Sequence, residues 1–373
     1  MSEVVVLGGG IIGASAAYNL AKQGVAVTLV DPARPGAATS AAAGVISAMV
    51  HHPVLPEWSA FAVPAMQYYP DLVAELEELG FADHSYRVIG DLTITAEEDG
   101  AAELADALER RRELLSVWGN KGVGVAEMLD ADQVQEIAPL LQGATAAIWH
   151  DKIASVDGPA MRTAIQDAFV RVGGTLLTGP GALVVEHGRA VGVTVDGQRI
   201  GADAVLLAAG AWASAVAGEV GIDLDVYPQR GQITHVRLPG AGSIPVIHGV
   251  GDNYLLSYPD DRIAFGATRE NEAGFSYQTT AAGIQNNIAE AIRLFPAIAN
   301  AEYLETRVGF RPFTPDKVPH VGASRTVEGL YLGVGISTQG MTLGAYTGKS
   351  LAQLMTGATA AETDIPLYFT PRA

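Results

Sequence analysis

The feature that most constrains this chain is a glycine cluster, Gly8-Gly9-Gly10-Ile11-Ile12-Gly13, set directly behind the apolar run Val4-Val5-Val6-Leu7. A short β-branched run without polar breaks suits a strand buried on both faces, as in a parallel sheet. Ile12 to Gln23 reads as a helix that Gly24 ends, and Val25 to Val30 reads as a second strand closing on Asp31. Together they make a βαβ unit within about thirty residues. In that setting G-x-G-x-x-G has a physical meaning. The first glycine turns the chain, the second lets a pyrophosphate lie against the backbone, and the third lets helix and strand pack closely. The unpaired amides and positive end of the helix then hold phosphate. Asp31 stands where a carboxylate accepts from ribose hydroxyls, and it disfavours a 2′-phosphate, so NADP is not expected.

The order of later elements argues against a clean split into two halves. Pro64 to Gly80 and Ala96 to Trp118 read as amphipathic helices flanking a strand over Tyr86 to Thr95. Pro159 to Val172 reads as a helix stopped by Gly173-Gly174. A strand at Thr175 to Leu177 and a hairpin turning at His187-Gly188-Arg189 follow. Val205 to Ala209 is a second buried-strand run. From Val226 to Arg269 longer alternating segments predict an antiparallel sheet, Ala281 to Phe295 a helix, and Leu330 to Gly357 a return to strand, glycine-rich loop and helix. The expected fold class is α/β, a Rossmann-type domain interleaved with a substrate domain built on a mostly antiparallel sheet with flanking helices. The expected boundaries give residues 1–85, 145–225 and 310–373 to the nucleotide domain and 86–144 and 226–309 to the substrate domain.

Composition narrows the function. The formal net charge of −18 over 373 residues argues against nucleic acid or anionic membrane as partner. With no cysteine there are no disulfides, thiolate metal sites, iron–sulfur clusters or cysteinyl flavin. The apolar stretch Ala204 to Gly218 is too short to span a bilayer. No basic stretch precedes an apolar run at the N-terminus, so a cytoplasmic protein is expected. Metal is not expected, and a homo-oligomer is left open.

Three further segments favour FAD, whose flavin must reach far from the first βα turn. Thr39-Ser40-Ala41-Ala42-Ala43-Gly44 offers hydroxyls and small residues beside an extended ribityl–pyrophosphate, with Thr39, Ser40, Ala43 and Gly44 as the expected contacts. Ala208-Ala209-Gly210-Ala211-Trp212 ends a strand at small residues, and Gly210 and Trp212 are the candidates there. The run Gly333 to Thr342 opens a helix at Gly340, Met341 and Thr342. A helix N-terminus there would stabilise negative charge on a reduced flavin. At the first turn the expected contacts are Gly8, Gly10, Ile11, Ile12 and Gly13, with Asp31 beyond them.

Taken with Arg230-Gly231-Gln232, Gly266-Ala267-Thr268-Arg269-Glu270 and Gly309-Phe310-Arg311-Pro312, these segments resemble the glycine oxidase and D-amino-acid oxidase/dehydrogenase group of flavoproteins over nearly the whole chain. The resemblance implies non-covalent FAD, since the cysteine that tethers flavin in sarcosine oxidase relatives is missing. It implies a small amino-acid substrate, with oxygen, a quinone or another carrier as electron acceptor. It maps the carboxylate-binding arginine onto Arg311 and an assisting tyrosine onto Tyr254, with Tyr258 as the rival. A guanidinium fork suits a carboxylate because it makes two parallel hydrogen bonds. His51 and His52 read as loop or packing residues, and Arg230 as structural. Two other readings stay open from sequence: oxidation of a 2-hydroxy acid, and a nucleotide-binding redox sensor without turnover.

Overall fold

The protein is described by a computed structural model covering residues 3–49, 56–95, 100–118, 122–249 and 253–373. His51 and His52 lie outside the described residues. The chain opens with β1 (Glu3–Leu7), α1 (Ile11–Lys22) and β2 (Ala26–Asp31). β1 pairs in parallel with β2 on one side and with the strand Ala204–Leu207 on the other. The complete sheet has six strands. From one edge they are His320–Ala323, Leu330–Val334, Ala204–Leu207, β1, β2 and Thr175–Thr178, and only the first pair is antiparallel. Residues from both ends of the chain thus meet in one sheet.

Burial explains the apolar runs. Val5, Val6, Leu206 and Leu207 have at most 1% of their surface exposed, so neither face of these strands meets solvent. α1 is buried from Ile11 to Ala21, as a helix apolar all round must be. It is covered by the helix Gly340–Met355, where Ser15 Oγ donates to the Ala345 carbonyl at 2.6 Å. A Cβ on Gly13 would sit 1.9 Å from the Gly8 carbonyl oxygen, so the third glycine of the motif lets α1 rest on its own turn.

A second sheet has eight strands in the order Glu302–Phe313, Tyr227–Arg237, Arg262–Gly266, Tyr254–Ser257, Val246–Gly249, Asp91–Ile94, Ala146–His150 and Ala126–Asp130. Only the pairing of Val246–Gly249 with Asp91–Ile94 is parallel. Ile263, Phe265 and Leu255 of this sheet share a core with Ala291, Leu294 and Phe295. These come from the helix Ala281–Leu294 and its end, and the helix starts on the Thr280 hydroxyl, which accepts from Gly283 N at 3.1 Å.

Several expected boundaries move. The strand expected over Tyr86 to Thr95 is two, Arg87–Val88 and Asp91–Ile94, which belong to different sheets. The first long helix runs Pro56–Glu78, with Pro64 and Pro70 inside it, and the second is Ala101–Trp118 within the described residues. The boundaries drawn at 145 and 310 both cut the large sheet, because Ala146–His150 and all of Glu302–Phe313 are strands of it. Among the described residues no helix is long and apolar enough to cross a membrane.

Candidate active site

One cavity is lined by the first βα turn, by strands of the large sheet and by the start of the C-terminal helix. At its nucleotide end lie Gly8, Gly10, Ile11 and Ile12. The N-cap of α1 is Gly10, and no side chain caps the helix there. Thr39 lies on α2 (Ala38–Ala41), and its Oγ1 accepts from Ile11 N at 3.2 Å. A Cβ on Gly10 would find nothing nearer than that oxygen at 3.5 Å, so the helix start faces open space. Asp31 ends β2 with Oδ1 accepting from Ala33 N at 3.0 Å and Oδ2 3.8 Å from Arg162 Nη1. Arg34 lies over the Trp212 ring at 5.6 Å. Trp212 also stacks on Phe275 and meets Phe310 edge-on.

The opposite end is built by the large sheet. Arg311 pairs with Gln229 in the register of the two long strands. Its Nη1 donates to Gln229 Oε1 and to the Thr268 carbonyl, both at 3.0 Å. Tyr254 and His248 face each other across their strand pair with ring centroids 6.1 Å apart. Burial raises the Tyr254 phenol, and the charges of Arg311 and Arg269 oppose that rise. The His248 imidazole is pushed down to about 3, first by burial and then by Arg111. It is therefore neutral at ordinary pH. Behind it the buried pair Arg111–Asp91, 3.4 Å apart, braces the wall. Tyr258 does not line the cavity. Its hydroxyl donates to the Ala43 carbonyl at 2.5 Å, and Arg262 covers its ring at 3.8 Å.

The third wall is the start of the helix Gly340–Met355, where Gly340, Met341 and Thr342 reach the cavity. Its N-cap, Gln339, makes no side-chain capping bond. Tyr69 Oη donates to the Met341 carbonyl, and Thr342 Oγ1 accepts from Ser47 N at 3.2 Å, which fixes the loop against the helix.

Arg311, Tyr254, Asp31, Thr39, Ala43, Gly44, Gly210 and Trp212 also line this cavity. Two expected contacts do not. Gly13 packs on Gly8, and Ser40 is absent from the lining although Thr39 and Ala41 on either side of it on α2 belong to it. Arg230 is structural: it pairs with Glu270 and donates to the Ser276 carbonyl. Sequence reasoning missed Arg34, Arg162 and His248, and named Arg269 only within the segment Gly266 to Glu270. Arg162 and His248 carry no local signal, because one arrives on the helix Gly158–Arg171 and the other on a strand that reads as ordinary core.

A βαβ turn with an open helix start, a carboxylate at the end of the second strand and a cavity continuing to a sheet-borne arginine are the parts of a dinucleotide-dependent oxidoreductase. The uncapped start of α1 suits a diphosphate, and Asp31 suits a ribose. A family model described as FAD dependent oxidoreductase matches residues 3–354, and the chain belongs to that family. Its cofactor is FAD. The sequence is similar to an uncharacterized oxidoreductase, YurR, of Bacillus subtilis (strain 168), 35% identical over 99% of this chain and 98% of that protein. It is 27% identical to the glycine oxidase of Geobacillus kaustophilus (strain HTA426), covering 95% of this chain and 92% of that one. The fold matches iminodiacetate oxidase from Chelativorans sp. BNC1 with a TM-score of 0.92 at 32% identity, covering 99% and 98% of the two chains.

Proposed function

We propose that this enzyme oxidises the C–N bond of a small amino acid (glycine, a D-amino acid or a cyclic imino acid) whose carboxylate is held by Arg311. The observation that carries this reading is Arg311 itself, fixed by Gln229 and the Thr268 carbonyl in the wall it shares with Tyr254. Relatives named glycine oxidase and iminodiacetate oxidase support it.

Bound FAD would supply a two-electron acceptor: Cα gives up a hydride as the nitrogen lone pair closes a C=N bond, giving an imine that, from glycine or a D-amino acid, water hydrolyses to a 2-oxo acid and ammonia. Gly8, Gly10, Ile11 and Ile12 would hold its diphosphate, Asp31 its ribose, and Thr39, Ala43, Gly44, Gly210 and Trp212 the extended chain between. The start of the helix at Gly340, Met341 and Thr342 would favour negative charge beside it. Arg311 fixes the carboxylate in position and direction, so that Cα approaches the acceptor in a reactive geometry. Tyr254, kept protonated by burial, donates a hydrogen bond to the same carboxylate. No side-chain base has to remove a proton from Cα. Oxygen, a quinone or another carrier would be the final electron acceptor.

The test is anaerobic mixing of the FAD-loaded enzyme with glycine, D- and L-amino acids, imino acids and 2-hydroxy acids. Bleaching of the oxidised flavin by amino acids is the expected result. Bleaching by hydroxy acids alone would overturn the reading, and no bleaching by any of them would favour a redox sensor.

A further inference from the structure

The strands Tyr227–Arg237 and Glu302–Phe313 set Gln229 directly opposite Arg311 and Gly231 directly opposite Gly309. Residues two apart on a strand share a face. These four positions therefore make one patch in which only Gln229 and Arg311 carry side chains. Neither glycine has room for one. A Cβ on Gly309 would stand 2.8 Å from Cβ of Ala41, and one on Gly231 would stand 2.6, 2.7 and 2.8 Å from Nη2, Cζ and Nη1 of Arg311. Three nearly equal distances mean that the guanidinium lies flat over bare backbone. Nothing in that contact sets its rotation within the plane.

The rotation is set by acceptors. Nη1 donates to Gln229 Oε1 and to the Thr268 carbonyl, both at 3.0 Å. An Nη carries two protons, and the protein takes both. A carboxylate that accepts two parallel hydrogen bonds must then meet the edge made by Nε and Nη2. The Thr268 carbonyl is held by its backbone: Thr268 N donates to the Gln232 carbonyl at 3.3 Å, and Arg230 and Glu270 exchange bonds at 3.1 and 3.0 Å. Gln229 is the side-chain half of the clamp, and it is buried. A guanidinium offers only donors, so the amide oxygen faces it and Nε2 faces away. There Nε2 donates to Asn271 Oδ1 at 2.8 Å. Asn271 opens the short turn Asn271–Ala273, next to Glu270, which Arg230 grips in an ion pair.

We propose that Gln229 is a positioning residue for the reaction. Aimed by Asn271, it turns Arg311 so that the Nε–Nη2 edge meets the substrate carboxylate, and it does so without a charge that competes for the guanidinium. The proposal rests on the carboxylate-anchoring reading of Arg311 and adds which edge binds and what selects it. Aim and charge are separable. Without the acceptor the guanidinium swings, so a carboxylate still binds but Cα sits askew. A glutamate at this position is isosteric and keeps the aim, and Asn271 can turn its amide to donate to the second oxygen. Its charge, however, occupies the guanidinium.

The experiment compares Gln229→Met and Gln229→Glu with wild type, all loaded with FAD. Acetate, which has a carboxylate and no C–N bond, is titrated against the flavin absorbance, and kcat and KM are measured for the amino acid that wild type turns over best. In Gln229→Glu, acetate Kd and KM should rise roughly tenfold or more, the value of a hydrogen bond to a charged group, with kcat nearly kept. In Gln229→Met, kcat should fall roughly tenfold with a smaller rise in acetate Kd, because misplacement costs the chemical step. A role in folding alone would lower the melting temperature without this split. An unchanged acetate Kd in Gln229→Glu, or the same proportion of kcat and Kd effects in both variants, overturns the proposal. If either variant loses its flavin, Asn271→Ala and Asn271→Asp decide: a lower kcat in the first, restored in the second, supports it, and equal kcat overturns it. Arg311→Ala separates the two readings. If it binds acetate as tightly as wild type, the reading of Arg311 fails and the proposal with it. If it binds acetate weakly while both Gln229 variants behave as wild type, only the proposal fails.

Discussion

Gly231 and Arg311 lie so close that a Cβ on Gly231 would stand 2.6 Å from Nη2 of Arg311 and 2.7 Å from its Cζ. The guanidinium lies across a bare stretch of the neighbouring strand. A methyl there pushes the far end of a flexible side chain and not the backbone. Gly231→Ala is therefore expected to keep its fold and flavin while Arg311 leaves Gln229 and the Thr268 carbonyl. KM for the preferred amino acid should rise roughly tenfold or more, the value of a hydrogen bond to a charged group. Steady-state kinetics beside a thermal melt check this, and an unchanged KM would show that the arginine has another resting place.

Arg311→Lys should not restore function, because an ammonium lacks the planar fork that fixes a carboxylate's direction. Arg311→Ala should be worse, losing about 2–5 kcal/mol in kcat/KM by removing one partner of a desolvated charge pair. Flavin content should stay near wild type in both. Full kcat/KM in Arg311→Ala would put the anchor elsewhere.

Asp31→Ala should weaken FAD binding by about 1.5–3 kcal/mol, the value of a charge-assisted hydrogen bond. It also frees Arg162 from its carboxylate neighbour 3.8 Å away. Titration of the apoprotein measures the loss. Unchanged affinity would reduce Asp31 to a turn residue bonded to Ala33.

Acid precipitation of the purified enzyme should release all of its flavin as FAD into the supernatant, since the chain has no cysteine to tether it. Yellow colour retained in the washed pellet would refute non-covalent binding.

Two histidines should make the fold sensitive to acid. His235 and His248 are pushed down to about 3 by burial first, then by Arg307 and Arg262 for the one and Arg111 for the other. In the unfolded chain each takes its proton near 6.5. Between those values the unfolded state binds protons the folded state refuses, so stability is complete above about pH 6.5 and declines as the pH falls towards about 3. Well inside that window each histidine adds a slope of about 1.4 kcal/mol per pH unit. His235→Asn should flatten the dependence by about that much, as denaturant unfolding at fixed FAD would show. Equal slopes in variant and wild type would mean that His235 is protonated in the folded protein.

The βαβ unit was legible because its signals are local: an unbroken buried run, three spaced glycines and an acid at the next strand's end. Arg311 was reached through resemblance, since nothing in Phe310-Arg311-Pro312 alone says that it faces Tyr254. Ser40 could not be told from Thr39 in sequence, since two adjacent hydroxyls look equivalent there, and only Thr39 lines the cavity. The first long helix was begun too late because a proline reads as a helix start. The burial of Trp58 and Phe61 against Phe369 carries the helix back through Pro64. Arg162 and His248 were invisible because their place in the cavity depends on packing between segments far apart in the chain.

The six-stranded sheet has a consequence for how the protein is made. β1 is made before the strands it pairs with, but the sheet also needs Leu330–Val334, and α1, which packs on Gly158–Arg171 on one side, needs Gly340–Met355 on another. Until those residues are synthesised, one flank of a nearly wholly apolar helix and an open parallel edge stand unprotected. The flavin wall at Gly340, Met341 and Thr342 does not yet exist either. The nascent chain therefore reaches cofactor competence only after the helix Gly340–Met355 has been made, and the long interval before that is the period in which aggregation competes with folding.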